Sequence, residues 1–493
     1  MKILLNTIIA LLLLATPVAA LAQGDSIVYK NIAEKTLGVT SSFKIDDNKA
    51  VLQVALSDST FELIALDTKM QVLWRSQFTG RGVACRKFKG SVLAVSDSAF
   101  EIKKESDHTF RAFLVDPQTG KTILQKEIFR QHVKHKQTVS SLWRNDGADF
   151  SLIVRQADYH AQTFLFGHLK DSIEDLTMIN LNEKLEPEYH KLQFPDETFV
   201  SMTGNSHGDL FMLTTIGGTT LWARRYENGS MEPSKPIFVT CDTLSGPDLE
   251  KAYNSITPSH EDRNVLYLAL AHKNQNSDRE LYLARFDFAA NTSQTASEVF
   301  TGKHIRAIEK SFVPLDAQFG EPNIGSQKKE ITVRYLTEHD GKIIVVASEF
   351  FEEQNTTTTG RMGVVTVGIT STTHYEKALI INCYDQSLKQ QFQQLMPVYY
   401  EGKTPTESAF AFHENILKVL SNNVGENADR FPAYGELDLA TGKWLNLTVL
   451  KGSDRYSLDE HLIWFPHAFI VPSNRATGTF TTRYNVDLFR YTF

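Results

Sequence analysis

Three cysteines in 493 residues, Cys85, Cys241 and Cys383, are too few and too far apart to staple a fold, and an odd number leaves at least one thiol outside any intramolecular bridge. They are expected as small buried hydrophobes rather than reactive thiols. After the N-terminal segment, no apolar run approaches the roughly 18 residues of a membrane-spanning helix. No Pro/Ser/Gly-rich linker divides a chain that is too long for one ordinary core. Positive charge is not in excess either: 51 Lys and Arg against 58 Asp and Glu give −7, which excludes a general affinity for nucleic acid. A His-Glu-x-x-His pair, a phosphate-binding loop and a dinucleotide fingerprint are all missing.

The N-terminus carries Lys2, an apolar stretch ending in Leu11 to Leu14, and Ala20-Leu21-Ala22 before Gln23. This small-x-small site behind a short apolar run is the pattern of an export signal, so residues 1–22 are expected to be removed and residues 23–493 to form one domain in the periplasm or outside the cell. No Cys follows the cleavage site, so no lipid anchor is expected there.

What the chain does have is a recurring phrase: an apolar strand ending in Asp or Asn, a polar turn, then a second apolar strand. It reads Ile64-Ala65-Leu66-Asp67 to Trp74, Phe113-Leu114-Val115-Asp116-Pro117-Gln118-Thr119-Gly120-Lys121, and Gly435-Glu436-Leu437-Asp438-Leu439-Ala440-Thr441-Gly442-Lys443-Trp444. Looser copies surround Asn182, Asn228, Asp287 and Asp385. Asp closes such a turn through its own side chain, and Gly supplies positive φ. Strands gather around these turns in groups over 41–78, 91–128, 139–194, 199–240, 253–300, 330–396 and 409–449, followed by a tail from His461 to Phe493. Ile27-Val28-Tyr29 is placed to complete the tail sheet from the other terminus. An array of similar sheets protects its edges best as a closed ring, so the expected fold is an all-β propeller with eight blades, seven being the alternative count.

The phrases at Asp67, Asp116 and Asp438, with Trp74 and Trp444, resemble the strand-turn-strand of pyrroloquinoline-quinone-type propeller repeats. Enzymes of that class often carry adjacent cysteines at the cofactor, and no two cysteines adjoin here, so no cofactor is expected. The resemblance implies that ligands enter on the face where one blade's outer strand links to the next blade's inner strand.

Two segments free of acids, Arg81-Gly82-Val83-Ala84-Cys85-Arg86-Lys87 and Arg130-Gln131-His132-Val133-Lys134-His135-Lys136, are read as successive connectors on that face. Side by side they would make a basic patch suited to an anionic glycan. His132 and His135 are three apart, which suits metal ligands on a helix but not on a connector, so no metal is expected. Tyr159, His160, Tyr399 and Tyr400 add aromatic and imidazole groups for a sugar or protein partner. Long segments at Thr301 to Lys329 and Glu352 to Tyr375, the second able to form its own hairpin, border the same mouth. The expected function is non-catalytic binding or scaffolding of a protein or an anionic polysaccharide. The alternative is a carbohydrate-active hydrolase or lyase using acids such as Asp242, Asp248 and Glu250 at the channel mouth.

Overall fold

The computed structural model describes residues 28–102, 105–133, 137–145, 150–159, 171–193, 197–216, 220–241, 253–274, 278–312, 330–362, 365–402, 408–424, 431–450, 461–477 and 482–492. The expected export signal lies outside them. Among the described residues the strands form eight four-stranded antiparallel sheets. Seven are consecutive meanders, blades 1 to 7, spanning 38–79, 81–133, 137–191, 198–240, 253–300, 330–402 and 408–449. Blade 8 takes Ile463–Phe465, Ala468–Ala476 and Tyr484–Thr492 from the end of the chain, and its outermost strand, Val28–Thr36, from the beginning. Antiparallel pairing from Val28↔Arg490 to Thr36↔Tyr484 joins the two termini.

Apolar clusters between successive blades complete the ring. Leu52, Ile64 and Leu66 of blade 1 pack with Ile32, Ile470 and Leu488 of blade 8, and Phe469 and Phe489 on the other side of blade 8 pack with Leu420 and Tyr434 of blade 7. Middle strands are sandwiched between two neighbours, which is why Val265–Lys273 is buried at every position but its last. Outer strands face water on one side, and Thr292–Phe300 is correspondingly exposed along most of its length. The propeller is therefore an eight-bladed one, closed by a strand from each terminus.

The repeated phrase works as a clamp on the perimeter. Asp116 Oδ1 accepts from Gln118 N at 2.9 Å and Thr119 N at 2.7 Å, while Asp67, Asn182, Asp385 and Asp438 close their turns in the same way. Gly120 sits at φ +72° against the Trp74 ring of the preceding blade, where an added Cβ would come within 2.6 Å of Cε3. The Trp74 indole donates to Pro117 O at 3.0 Å. Gly442, at φ +66°, repeats this against Phe392 of blade 6.

Arg81 to Lys87, Arg130 to Val133, which ends the strand Thr122–Val133, and the segment after Thr301 differ from the sequence reading. Arg81 to Lys87 is not a connector but most of the first strand of blade 2, Arg81–Phe88. Its solvated positions hide the period-two pattern, since only Ala84, Cys85 and Phe88 are buried. The segment after Thr301 begins with a helix, Gly302–Ser311, capped by Thr301, whose side chain accepts from His304 N. Ile308 and Phe312 seat it on the shared core of blades 5 and 6. Residues 313–329 lie outside the described set.

Candidate functional site

Because consecutive strands run antiparallel, second-to-third turns and blade-to-blade links open on one face of the ring, here the upper face, and the remaining turns on the lower one. Arg81 opens the first strand of blade 2, and Arg130 and His132 stand near the end of its fourth, Thr122–Val133, so all three are at the upper face. Arg86 and Lys87 close the same first strand and point the charge to the lower face, where Lys87 Nζ donates to Ile45 O at 3.1 Å. The residues expected in one basic patch are thus divided between opposite faces. A strand carries its two ends across the blade, whereas a connector would have kept them together. Tyr159 ends the strand Phe150–Tyr159, and Tyr399 and Tyr400 belong to the strand Gln390–Gly402, so these are strand positions at the upper face rather than loop positions. Lys134, His135, His160, Asp242, Asp248 and Glu250 lie outside the described residues.

Acids from neighbouring strands, and for Arg130 from its own strand, meet the upper basic groups. Arg81 pairs with Asp97 at 3.4 Å, Arg130 with Glu127 at 3.0 Å, and His132 Nδ1 lies 2.7 Å from Asp107 Oδ1. Glu105 Oε2 is 3.7 Å from His132 Nε2. The alternation of the hairpin sorts these groups onto two sides. Glu105 and Asp107 flank His132 on one side, whereas Asp97, Ser106 and His108 share the parity of Leu93, Val95, Phe110 and Ala112, which pack on blade 3. On that side His108 Nδ1 is 2.9 Å from Asp97 Oδ2, and His108 Nε2 is 3.4 Å from Ser106 Oγ. Gln131 of the adjoining strand donates across to Gln156 of blade 3. Sequence reasoning passed over this group because Asp97 and His108 meet only through strand register.

The upper face also carries a projection from blade 6. Its second and third strands, Lys342–Met362 and Val365–Asp385, stay paired out to Met362↔Val365. The first strand pairs only as far as Phe350, and the fourth only as far as His374. Residues 351–362 and 365–373 are therefore a two-stranded ribbon, about 40 Å long at roughly 3.3 Å per residue, with no described strand on either edge. The hairpin expected here exists, as a continuation of the blade rather than a separate insertion. At its foot Glu376 is fully buried, with Arg334 Nε donating to Oε1 at 3.1 Å and Ser348 Oγ donating to the same oxygen. Burial pushes the Glu376 carboxyl up, against the opposing pull of Arg334.

All three cysteines are free and buried. Burial raises the Cys383 thiol to about 11, and Cys241 lies 3.7 Å from His272 Nε2. Among the described residues no group of three or more His, Cys, Asp or Glu side chains is arranged to hold a metal ion. One motif escaped the sequence reading: Gly204-Asn205-Ser206-His207-Gly208 has the spacing of a nucleophile elbow. It is a lower-face turn between two strands, closed by Asn205 Oδ1 accepting from His207 N at 3.0 Å and Asp209 N at 2.9 Å. An elbow requires a strand running into a helix, so Ser206 has no such setting.

No family model matches the chain, and no curated protein is significantly similar to it in sequence. Among solved structures, the WD40 domain of SCAP from fission yeast is 10% identical, with 94% of this chain and 98% of that one covered, at a TM-score of 0.41. Sqt1 from Saccharomyces cerevisiae is 8% identical over 95% and 99%, at 0.42. The β-propeller domain of the Trilobed protease from Pyrococcus furiosus is 13% identical over 86% and 98%, at 0.37. Likeness at this level carries no functional meaning, and the eight-bladed fold rests on the strand pairing itself.

Proposed function

We propose that this chain is an exported binding or scaffold protein whose partner is another protein, engaged on the upper face through the ribbon of blade 6. The ribbon carries this reading. Open strand edges template pairing with other chains, and proteins that do not use them blunt them with Lys, Pro or bulges. From Gln354 to Thr373 the ribbon has no Lys and no Pro, and Arg361 is its single charge. One register shift, between Thr358 and Gly360, is the only irregularity in the pairing of its described residues. Such an edge suits strand addition by a partner segment, with main-chain hydrogen bonds supplying affinity. Export is supported by Ala20-Leu21-Ala22 behind the apolar run. An anionic polysaccharide has less support, since Asp97, Glu127 and Asp107 offset the upper basic groups. A pyrroloquinoline-quinone type of repeat is supported by the turns at Asp116 and Asp438 with their clamped aromatics.

The test is a variant in which Phe351 is joined to Tyr375 by Asn-Gly, which ends the ribbon as a two-residue hairpin. The full-length protein, carrying a photo-crosslinker at Thr357, is expected to join a discrete protein in the cells that export it. The shortened variant should melt at the same temperature and fail to compete for that protein. Undiminished competition by the shortened variant would remove the ribbon from the interface.

A further inference from the structure

We infer that Ser106, His108 and Asp97 form a nucleophile, base and acid that hydrolyse a carboxylic ester at the upper end of blade 2, on its side towards blade 3. This inference is independent of the ribbon. The chemistry needs a hydroxyl within reach of a base whose tautomer is fixed by a third group. Asp97 is 3% exposed in its side chain and lies against His108 Nδ1 at 2.9 and 3.1 Å. The Nδ1 proton is thereby committed to the carboxylate, and Nε2 is left with its lone pair. That nitrogen is 3.4 Å from Ser106 Oγ, a distance ordinary for such a pair before substrate arrives. Arg81 Nη2, 3.4 Å from Asp97 Oδ2, further holds the carboxylate in place. Ser106 and His108 are both partly open to solvent, and no other hydrogen bond engages Ser106 Oγ among the described residues.

In the first half-reaction Ser106 Oγ attacks the ester carbonyl carbon while His108 Nε2 takes the hydroxyl proton. The bond to the alkoxy oxygen breaks, and His108 returns the proton to the leaving alcohol. In the second, a water attacks the acyl-serine, gives its proton to His108, and the acid departs as Oγ regains a proton. No oxidant or cofactor enters either step. Asp97 and Arg81 act as positioning residues, because they reach the reacting atoms only through His108.

The probe is a fluorophosphonate, which phosphonylates an activated serine and reports it by peptide mass, used beside p-nitrophenyl acetate hydrolysis on the full mature chain. Label is expected on Ser106, abolished in S106A and slowed about a hundredfold in H108Q, the scale of a lost general base. D97N preserves volume and reverses the tautomer preference, so it should slow labelling while leaving the melting temperature near that of the parent. Absence of label on Ser106 in the folded protein, label on Ser206 instead, or labelling at parental rate in a folded H108Q overturns the inference.

Discussion

Closure of the ring by both termini can be tested with one substitution, Leu488→Ala. Leu488 lies in the strand Tyr484–Thr492, is 0% exposed, and belongs to the apolar cluster that also holds Ile32 of the N-terminal strand and Leu52 of blade 1. Deleting the whole strand would be a poor test, because lost contacts and recovered backbone entropy are of similar size. A side-chain truncation leaves the backbone term out. Removing three buried carbons forfeits about 2.4 kcal/mol of transfer free energy at ~0.8 kcal/mol per methylene. The cavity left behind brings the expected loss to about 3–4 kcal/mol. Leu445→Ala, at a residue 56% exposed, is the matched control and should change stability by less than about 0.5 kcal/mol. Urea unfolding followed by tryptophan fluorescence measures both, and hydrogen exchange should show protected amides within Val28–Thr36 in the parent. A loss under about 1 kcal/mol for Leu488→Ala, together with unprotected amides in the N-terminal strand, would refute closure.

Other outcomes follow from residues already placed. Gly120→Ala should lose about 2–4 kcal/mol through positive φ and the Trp74 clash, whereas Gly90→Ala, with positive φ but open space, should lose about 1 kcal/mol, both read by urea midpoint. Asp209→Asn should lose about 3–5 kcal/mol, because Asp209 is 0% exposed and pairs with the buried Arg225 at 3.0 Å. For Glu376, whose carboxyl is raised in the fold, the stabilising contribution is complete below the ordinary carboxylate value and is lost as pH rises through the raised one. The Gln variant keeps the neutral form, so its urea midpoint should gain on the parent's across that pH window. Parallel pH profiles for the two proteins would remove that assignment.

The architecture was legible where it rests on local chemistry. An Asp or Asn that caps its own turn does so within five residues, and a Gly forced to positive φ declares itself in sequence, so the perimeter turns and the eight-sheet division could be read directly. The first strand of blade 2 could not, because Arg81, Arg86 and Lys87 place charge where a strand is expected to alternate. The helix after Thr301 did leave a signal, a capping Thr followed by Ile305, Ile308 and Phe312 at helical spacing, inside a segment whose prolines and glycines suggested only a loop. The basic patch failed for a different reason. Two of its acids, Asp97 and Asp107, lie on neighbouring strands whose register decides contact, and register is not written in any one segment, while Glu127 stands on Arg130's own strand just before the segment read as a connector. The same register brings Asp97 to His108.

The outermost strand of blade 8 imposes an order of events on biosynthesis. Val28–Thr36 is made before its hydrogen-bonded neighbour, Tyr484–Thr492, with all seven other blades between them in the chain. Until that neighbour is made, the early strand has no native partner, blade 1 has no wall on one side, and seven blades can at best form an open arc. Completion of the ring therefore has to wait for both strands of this pair.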